Sequence, residues 1–488
     1  MDIDNVKTES PIREFLAVLL AGFGNDLVPL TSDYGDEPCP KALLPVANKP
    51  LIEYTLEWLE KSGIQDVLLI CPSRHRSAIH HHIHSDISSS TLRIDLQTYD
   101  ESHDRNSGTC DLLRQFSGRI PEDFVIVPCD FIPSPSVPLS ALLNKFRVDA
   151  LADDSLATSF WFTSSTPEKG SFIEEWGPPP VPFPIVWEPT TGTLLHVDTP
   201  DDADKNSDEI ELKMSMLTRF PSTKLSSSLD DSHVYVCRKA VLDLLQQKLH
   251  FLSFREEFFP WLCKVQYSRS KRAKYAHTLN TIEGSASQSL ALQHSSLLTT
   301  SPFMDDDPPS PTTTGSEIKN LKIGIVVHNR ALDHPMRINT LQKFQEINKR
   351  LLSGTTYSLP VDPKDRSLID QRAQISTDSI VGESTQISER TTIKRSVIGR
   401  HCTIGKMVRI TGCVLLDHCV VEDGVKLDNC ILGKSTQVGH KAELIRCVTQ
   451  AGYEVAKGDI VKGERLEVSD WMADPDTPVL QHKELQLD

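Results

Sequence analysis

Apolar and polar positions follow two different rhythms along the 488 residues. In the first two thirds, short apolar runs alternate with stretches of helical spacing. Phe15 to Leu20, Val67 to Ile70 and Phe124 to Val127 are continuous apolar runs, and each predicts a buried strand. Leu92 to Thr98 alternates and predicts a half-buried strand. Leu51 to Lys61, Arg238 to Leu249 and Ile338 to Leu352 read as helices. In the last of these, Leu341, Phe344, Ile347 and Leu351 recur at three- and four-residue steps. A strand, a helix and a second strand following the first predict a βαβ unit and a parallel sheet. Further strands are expected at Thr193 to His196, Lys213 to Leu217, His233 to Cys237 and Leu321 to Val327, and a helical turn at Phe254 to Trp261.

The last third changes period. Val381, Ile387 and Ile393 are followed by Ile398, Ile404 and Ile410, then Leu415, Val421 and Leu427, then Leu432, Val438 and Leu444. The steps are 6, 6 and 5, so each column recurs every 17 residues, and every position is Val, Ile or Leu. One inward aliphatic per six residues describes a triangular coil of three short strands. Stacked coils bury a continuous core that no single coil has. Glycines at 382, 399, 405, 433 and 439 are expected to ease the corners. The fold class expected is therefore α/β: a Rossmann-like domain followed by a left-handed parallel β-helix of hexapeptide repeats. The expected division is a tail over 1–13, an α/β domain over 14–353, a linker over 354–364, a β-helix over 365–455 and a C-terminal tail over 456–488. Within the α/β domain, 268–319 is rich in Ser, Thr, Asp and Pro and is expected to be a low-complexity insertion. A second, Pro-rich insertion is expected between Thr163 and Pro189.

Charge narrows the function classes. A net charge of −16 and a pI near 5.5 argue against direct nucleic-acid binding, which needs a basic face. No apolar run approaches the length of a membrane span, and the start MDIDNVKTES lacks a signal-peptide layout. Eleven cysteines without a CxxC pair fit reduced thiols, so a cytosolic, cytoplasmic location is expected.

Candidate chemistry sits at the ends of the predicted strands. Ala21-Gly22-Phe23-Gly24 turns the chain after the first, and Gly22 and Gly24 allow backbone N–H groups to approach a phosphate. Pro40-Lys41 adds a cation. Asp130 ends the Phe124 strand, at the sheet edge where such folds place chemistry. Ser107-Gly108-Thr109-Cys110-Asp111 is a loop opening a helix. His80, His81, His82 and His84 admit a metal reading, but a solvated helix is favoured because no carboxylate or Cys stands at ligand spacing. Cys402, Cys413, Cys419, Cys430 and Cys447 fall in repeat columns and read as core residues rather than a zinc cluster. Gly399 to Met407 imitates a P-loop, but it has one residue too many between its glycines and Met where Ser or Thr must hold a cation. His401, His418 and His440 are the positions from which an acyltransferase base would act, and they read instead as corner residues.

The stretch Leu16 to Tyr54, with Pro40-Lys41-Ala42-Leu43-Leu44-Pro45-Val46-Ala47-Asn48-Lys49-Pro50, resembles the signature of sugar-nucleotidyltransferases. That resemblance implies a nucleotide pocket built on Gly22, Gly24 and Lys41, with Asp130 holding a catalytic Mg²⁺. It fails at one place. The Thr-Arg that grips the nucleotide phosphates in that family is here Asn25-Asp26, which turns attraction for a triphosphate into repulsion worth several kcal/mol, on the order of that at a partly desolvated site. Combined with Gly108 to Asp111, Val127 to Asp130, Asp231 to Val236 and Phe259 to Ser268, the chain resembles the gamma-subunit family of eukaryotic translation initiation factor 2B. The related epsilon subunits carry a further helical exchange domain, for which the chain after the last coil is too short. The resemblance implies a non-catalytic regulatory or scaffold subunit of a guanine-nucleotide exchange complex, without a cofactor, metal or catalytic residues and with at most a vestigial nucleotide pocket. Its implied partners are an epsilon-like subunit, the other subunits of the factor 2B complex, and the GTPase initiation factor 2, whose GDP is released. The alternative is an active sugar-nucleotide pyrophosphorylase of GDP-mannose or ADP-glucose type.

Overall fold

The computed structural model describes residues 14–33, 37–85, 91–100, 108–163, 176–177, 183–199, 210, 212–280, 321–329, 335–354, 357 and 363–467. The expected tail at 1–13, residues 468–488 of the expected C-terminal tail, the Pro-rich 164–175 and residues 281–319 of the expected 268–319 insertion lie outside these residues. The chain divides into two compact units: Met1–Leu27 with Pro38–Ile347, and Val28–Glu37 with Asn348–Asp488. The first unit in this division ends at Ile347, where the expected α/β domain runs to 353, and it leaves out Val28–Glu37. Val28–Glu37 groups with the second unit because Gln450 donates to the Asp33 carbonyl at 3.0 Å and Lys434 pairs with Glu37 at 3.2 Å.

The first unit is built on a ten-stranded sheet. Its strands, in chain order, are β1 (Phe15–Leu20), β2 (Asp66–Pro72), β3 (Arg93–Tyr99), β4 (Asp123–Pro128), β5 (Ser155–Thr163), β6 (Ile185–Glu188), β7 (Thr193–Val197), β8 (Lys224–Ser226), β9 (Leu229–Cys237) and β10 (Lys322–His328). Their spatial order is β8-β6-β7-β10-β5-β9-β4-β1-β2-β3. The β4-β1-β2-β3 half is parallel, as the βαβ pattern predicts. The sheet as a whole is mixed, because β9 runs antiparallel to both β4 and β5. Helices α1 (Leu51–Lys61), α2 (Phe259–Tyr267) and α3 (Arg269–Asn280) are among those packed around it. Two apolar clusters cover its faces, one holding Leu19, Ile52, Phe131 and Phe160, the other Val18, Phe124, Trp161 and Phe258. Two expectations are corrected here. The expected strand at Lys213 to Leu217 is a helix, Met214–Arg219, which buries Met216 and leaves Met214 exposed. The low-complexity insertion starts later than 268, since Arg269–Asn280 is helical and buries Tyr275.

The second unit is a parallel β-helix of three sheets with six, six and five strands. The predicted columns are the observed register: Ile393 pairs with Ile410, Leu427 and Leu444 in succession, Ile398 with Leu415 and Leu432, and Ile387 with Ile404, Val421 and Val438. These side chains are essentially fully buried. The stack is longer than the expected 365–455, because Ile460–Lys462 and Arg465–Leu466 add strands to two sheets.

The glycines do a different job from the one expected. The corners are made by residues in the left-handed region, in columns 17 apart: Ser384, His401, His418 and Ser435; Arg390, Met407, Gly424, Lys441 and Gly458; Arg395, Gly412, Asn429, Arg446 and Gly463. Gly382, Gly399, Gly405, Gly433 and Gly439 have no positive φ. They stand where a Cβ would strike the backbone of the next coil; at Gly399 it would lie 2.6 Å from the Leu416 carbonyl carbon. Their role is close stacking. Gly399→Ala is therefore expected to cost about 1–3 kcal/mol in denaturant unfolding. Gly458→Asn, at φ +71° with open space around it, should cost less than about 1 kcal/mol. The reverse order would contradict this assignment.

Candidate functional site

The loop after β1 sets one side of the site. Gly24 takes φ +83°, and a Cβ there would sit 2.9 Å from the Lys41 side chain, so glycine lets Lys41 pass close to the turn. Lys41 opens a short 3-10 turn, Lys41–Leu43, and is buried. Asp130 follows β4. Phe131–Ile132 then pairs antiparallel with Met336–Arg337, with Phe131 opposite Arg337, and the Ile338 N–H donates to the Asp130 carbonyl at 2.8 Å. This short ladder places a guanidinium against the carboxylate.

The result is a buried, closed ionic cluster. Lys41 Nζ donates to Asp130 Oδ2, and Arg337 Nε donates to Oδ1 at 3.1 Å. Asp130 itself is 2% exposed. Burial alone raises a carboxyl pKa, but the charges of Arg337 and Lys41 outweigh it and hold Asp130 below its ordinary value. Arg337 continues to His233, its Nη1 lying 2.9 Å from Nε2. A guanidinium only donates, so His233 Nε2 is the acceptor and the ring is neutral. Burial, then the charges of Arg337, Arg255 and Lys41, push the His233 pKa well below its usual value. His233 has φ +57° and sits where β9 slips register against β5. Its amide donates to Asp231 Oδ1 at 2.9 Å. Asp231 Oδ2 accepts from the Tyr235 hydroxyl at 2.6 Å and pairs with Arg255 at 3.2 Å. Burial raises the Asp231 pKa despite these partners.

Of the expected pocket residues, Gly24, Lys41 and Asp130 are thus brought together. Gly22 is exposed, with nothing within 4 Å of a Cβ built on it. Asn25 and Asp26 are exposed on the short turn Asn25–Leu27. The loop that opens the helix at Gly108 to Asp111 is covered by another segment of the chain. The Cys110 N–H donates to the Leu252 carbonyl at 2.9 Å, and the Gly108 N–H faces Asp111 Oδ2 at 3.3 Å. A Cβ at Gly108 would lie 2.1 Å from the Leu252 oxygen, so this loop is glycine in order to seat the Leu252 segment. Arg114 fastens the same segment through the carbonyls of Leu245 at 3.1 Å and Phe251 at 2.7 Å.

The fold implies a Mg²⁺ held by Asp130, and the donor set does not fit one. Both carboxylate oxygens already carry cationic donors, so a divalent ion would have to displace Lys41 and Arg337 from a buried position. Sequence reasoning did not find Arg337, which belongs to no motif. It found Asp231 to Val236 as a segment of the family resemblance and His233 to Cys237 as a strand, without a role for the side chains; an Asp, a His and a Tyr close together at the start of a strand was the available signal.

Other candidates resolve into structural roles. His82 Nε2 lies 3.1 Å from Glu53, and the His80 and His84 rings contact each other at 4.2 Å. Among the described residues no group of three His, Cys, Asp or Glu is arranged to hold a metal. The β-helix thiols are free and buried, and donate to carbonyls: Cys402 to Leu416, Cys419 to Gly433 and Cys447 to Val461, at 3.2–3.3 Å. His401 and His418 stack at 5.1 Å in one corner column. Met407 of the P-loop imitation is an exposed corner residue.

Comparison with known proteins agrees with this architecture. Residues 16–168 match the nucleotidyl transferase family, and residues 363–461 match the eIF2B subunit epsilon LbH domain, the left-handed β-helix. Translation initiation factor eIF2B subunit gamma of Schizosaccharomyces pombe is 34% identical over 465 residues, covering 95% of this chain and 92% of that protein. The gamma subunit of Dictyostelium discoideum is 24% identical, covering 74% of this chain and 82% of its own. The epsilon subunit of the same organism is 25% identical over 260 residues, 53% of this chain and 34% of its own. With an identity of 34% sustained across almost the whole of both chains, the chain belongs to the gamma-subunit family of translation initiation factor eIF2B.

Proposed function

We propose that this chain is a non-catalytic subunit of the eIF2B exchange complex, in which a nucleotidyltransferase fold serves as a scaffold. The observation that carries this reading is the Asp130 carboxylate, with one oxygen bound by Lys41 and the other by Arg337. A carboxylate so neutralised has no net charge to offer a cation, and metal-assisted nucleotidyl transfer needs cation and phosphate grip together. Asp26, in place of the expected arginine, removes the grip from the other side. Gly22, Gly24, Lys41 and Asp130 are then the remnant of a pocket, and the chain needs no cofactor or metal for its role.

In this reading the chain pairs with an epsilon subunit and joins the other subunits of the complex, and the partner's exchange domain releases GDP from initiation factor 2. The rigid sheet and β-helix present surfaces, while the exchange chemistry comes from elsewhere, since function resides in sites rather than folds. No described helix is long and apolar enough to cross a membrane. The cytosol, where translation initiates, is the expected location.

Three outcomes test the proposal. The purified chain with Mg²⁺ is expected to give no pyrophosphorolysis of GDP-mannose, ADP-glucose or UDP-sugars; measurable turnover supports the pyrophosphorylase reading instead. Expressed with tags in its own cells, the chain should copurify with an epsilon subunit, and recovery solely as a self-assembled oligomer would contradict the scaffold role. Asp130→Asn should destabilise the fold by about 3–5 kcal/mol at pH 7, because it leaves two buried cations uncompensated. The folded pKa of Asp130 lies below the unfolded one, so its stabilisation is present above about pH 4 and lost as pH falls through the folded value. Urea unfolding of the variant should accordingly show a shallower acid limb. A metal-holding carboxylate would behave oppositely: its neutralisation leaves the metal-free protein unchanged or more stable.

A further inference from the structure

The helix Leu139–Ala152 turns one side to the sheet and carries a second apolar side outward. Leu139, Leu142, Leu143, Phe146 and Ala150 are buried. On the other side Ala141, Asn144, Val148, Leu151 and Ala152 are exposed, Val148 by 62% and Leu151 by 41%. A surface helix ordinarily puts charge on its outer face. Helix α1 does so with Glu57 and Lys61. On Leu139–Ala152 every exposed position is uncharged. Its two basic residues are half-buried and held by carboxylates, Lys145 by Asp149 at 2.7 Å and Arg147 Nε by Glu14 at 2.6 Å.

Ala141, Asn144, Val148 and Leu151 stand 3, 4 and 3 residues apart, the step of a two-helix seam. They lie symmetrically about Phe146, with the two smaller side chains before it and the two apolar, bulkier ones after it. A second copy of the helix running antiparallel therefore sets Leu151 beside Ala141 and Val148 beside Asn144, once on each side of a two-fold axis. Each layer then joins a larger side chain to a smaller one, as close helix packing requires. A parallel copy would put Leu151 on Leu151 and Ala141 on Ala141, crowding one end of the seam and leaving the other underfilled. Asn144 supplies a polar position of the kind that fixes register in such seams. Because Lys145 and Arg147 each already hold a carboxylate, two copies meet without bare like charges at the rim.

We propose that the chain self-associates through this helix, as an antiparallel pair related by a two-fold axis. The helix has 14 residues and is about 21 Å long. One such pair buries less than the roughly 800 Å² per partner of a standard interface. The pairing is accordingly weak, with a Kd on the order of tens of micromolar. It uses no residue of the Asp130 cluster and does not rest on the scaffold reading, so either can fail while the other stands.

The test is sedimentation velocity of the full chain over roughly 1–200 µM. The native chain should pass from monomer to dimer. Val148→Glu with Leu151→Glu should stay monomeric throughout, with an unchanged thermal melt because both positions are exposed. Cross-linking under mild oxidation reads the register: Ala141→Cys with Leu151→Cys should give a covalent dimer on a non-reducing gel, and Leu151→Cys alone should not. A native chain that is monomeric at every concentration, a dimer indifferent to the double Glu substitution, or equal cross-linking by Leu151→Cys alone would overturn the proposal. So would a dimer that forms only once residues 1–13 are removed, which would assign the seam to that segment. Loss of epsilon copurification on the double Glu substitution, with the native chain monomeric, would assign it to another subunit and equally overturn the proposal.

Discussion

The Asp130 carboxylate, buried between Lys41 and Arg337, is the contact on which the α/β unit's site depends. Two cations and one anion in a water-poor space are stable only if each is placed by something rigid. Three separate pieces of backbone supply that rigidity. Gly24 lets Lys41 approach the turn after β1, β4 delivers Asp130, and the Phe131–Arg337 ladder holds the guanidinium. At the next step neutral His233 accepts from Arg337, and Asp231 is paired with Arg255. In the structure Asp130 is an internal ionic joint between Lys41 and Arg337.

The β-helix depends on a different constraint, the distance between successive coils. Its aliphatic columns provide the apolar burial, but the coils approach closely because Gly382, Gly399, Gly405, Gly433 and Gly439 lack a Cβ where the next backbone passes. The corners make a separate demand on φ, met by residues as different as His401, Met407 and Arg446. Thiols fill small core positions between coils and find carbonyl acceptors there.

The aliphatic columns were readable from sequence because each occupies a fixed period and each core position admits few side chains. The parallel half of the sheet was readable for the same reason. The role of the repeat glycines was not, since a glycine at a coil junction satisfies either a corner or a close approach, and φ alone separates them. The helix Met214–Arg219 was misread because one turn with a single buried residue has too short a pattern to distinguish from a strand. At the site, Lys41 and Asp130 were legible through family motifs. Arg337 was not: its partner stands 207 positions away in sequence, and a two-residue ladder leaves no periodicity.

The central claim is that the Asp130 oxygens are committed to protein cations. Mn²⁺ is a spectroscopic stand-in for Mg²⁺, so electron paramagnetic resonance of a Mn²⁺ titration into the purified chain, with and without GTP, tests the claim most directly. The account predicts the same free-ion signal for the native chain and for Asp130→Asn at every concentration. A bound Mn²⁺ present in the native chain and lost in Asp130→Asn would contradict it.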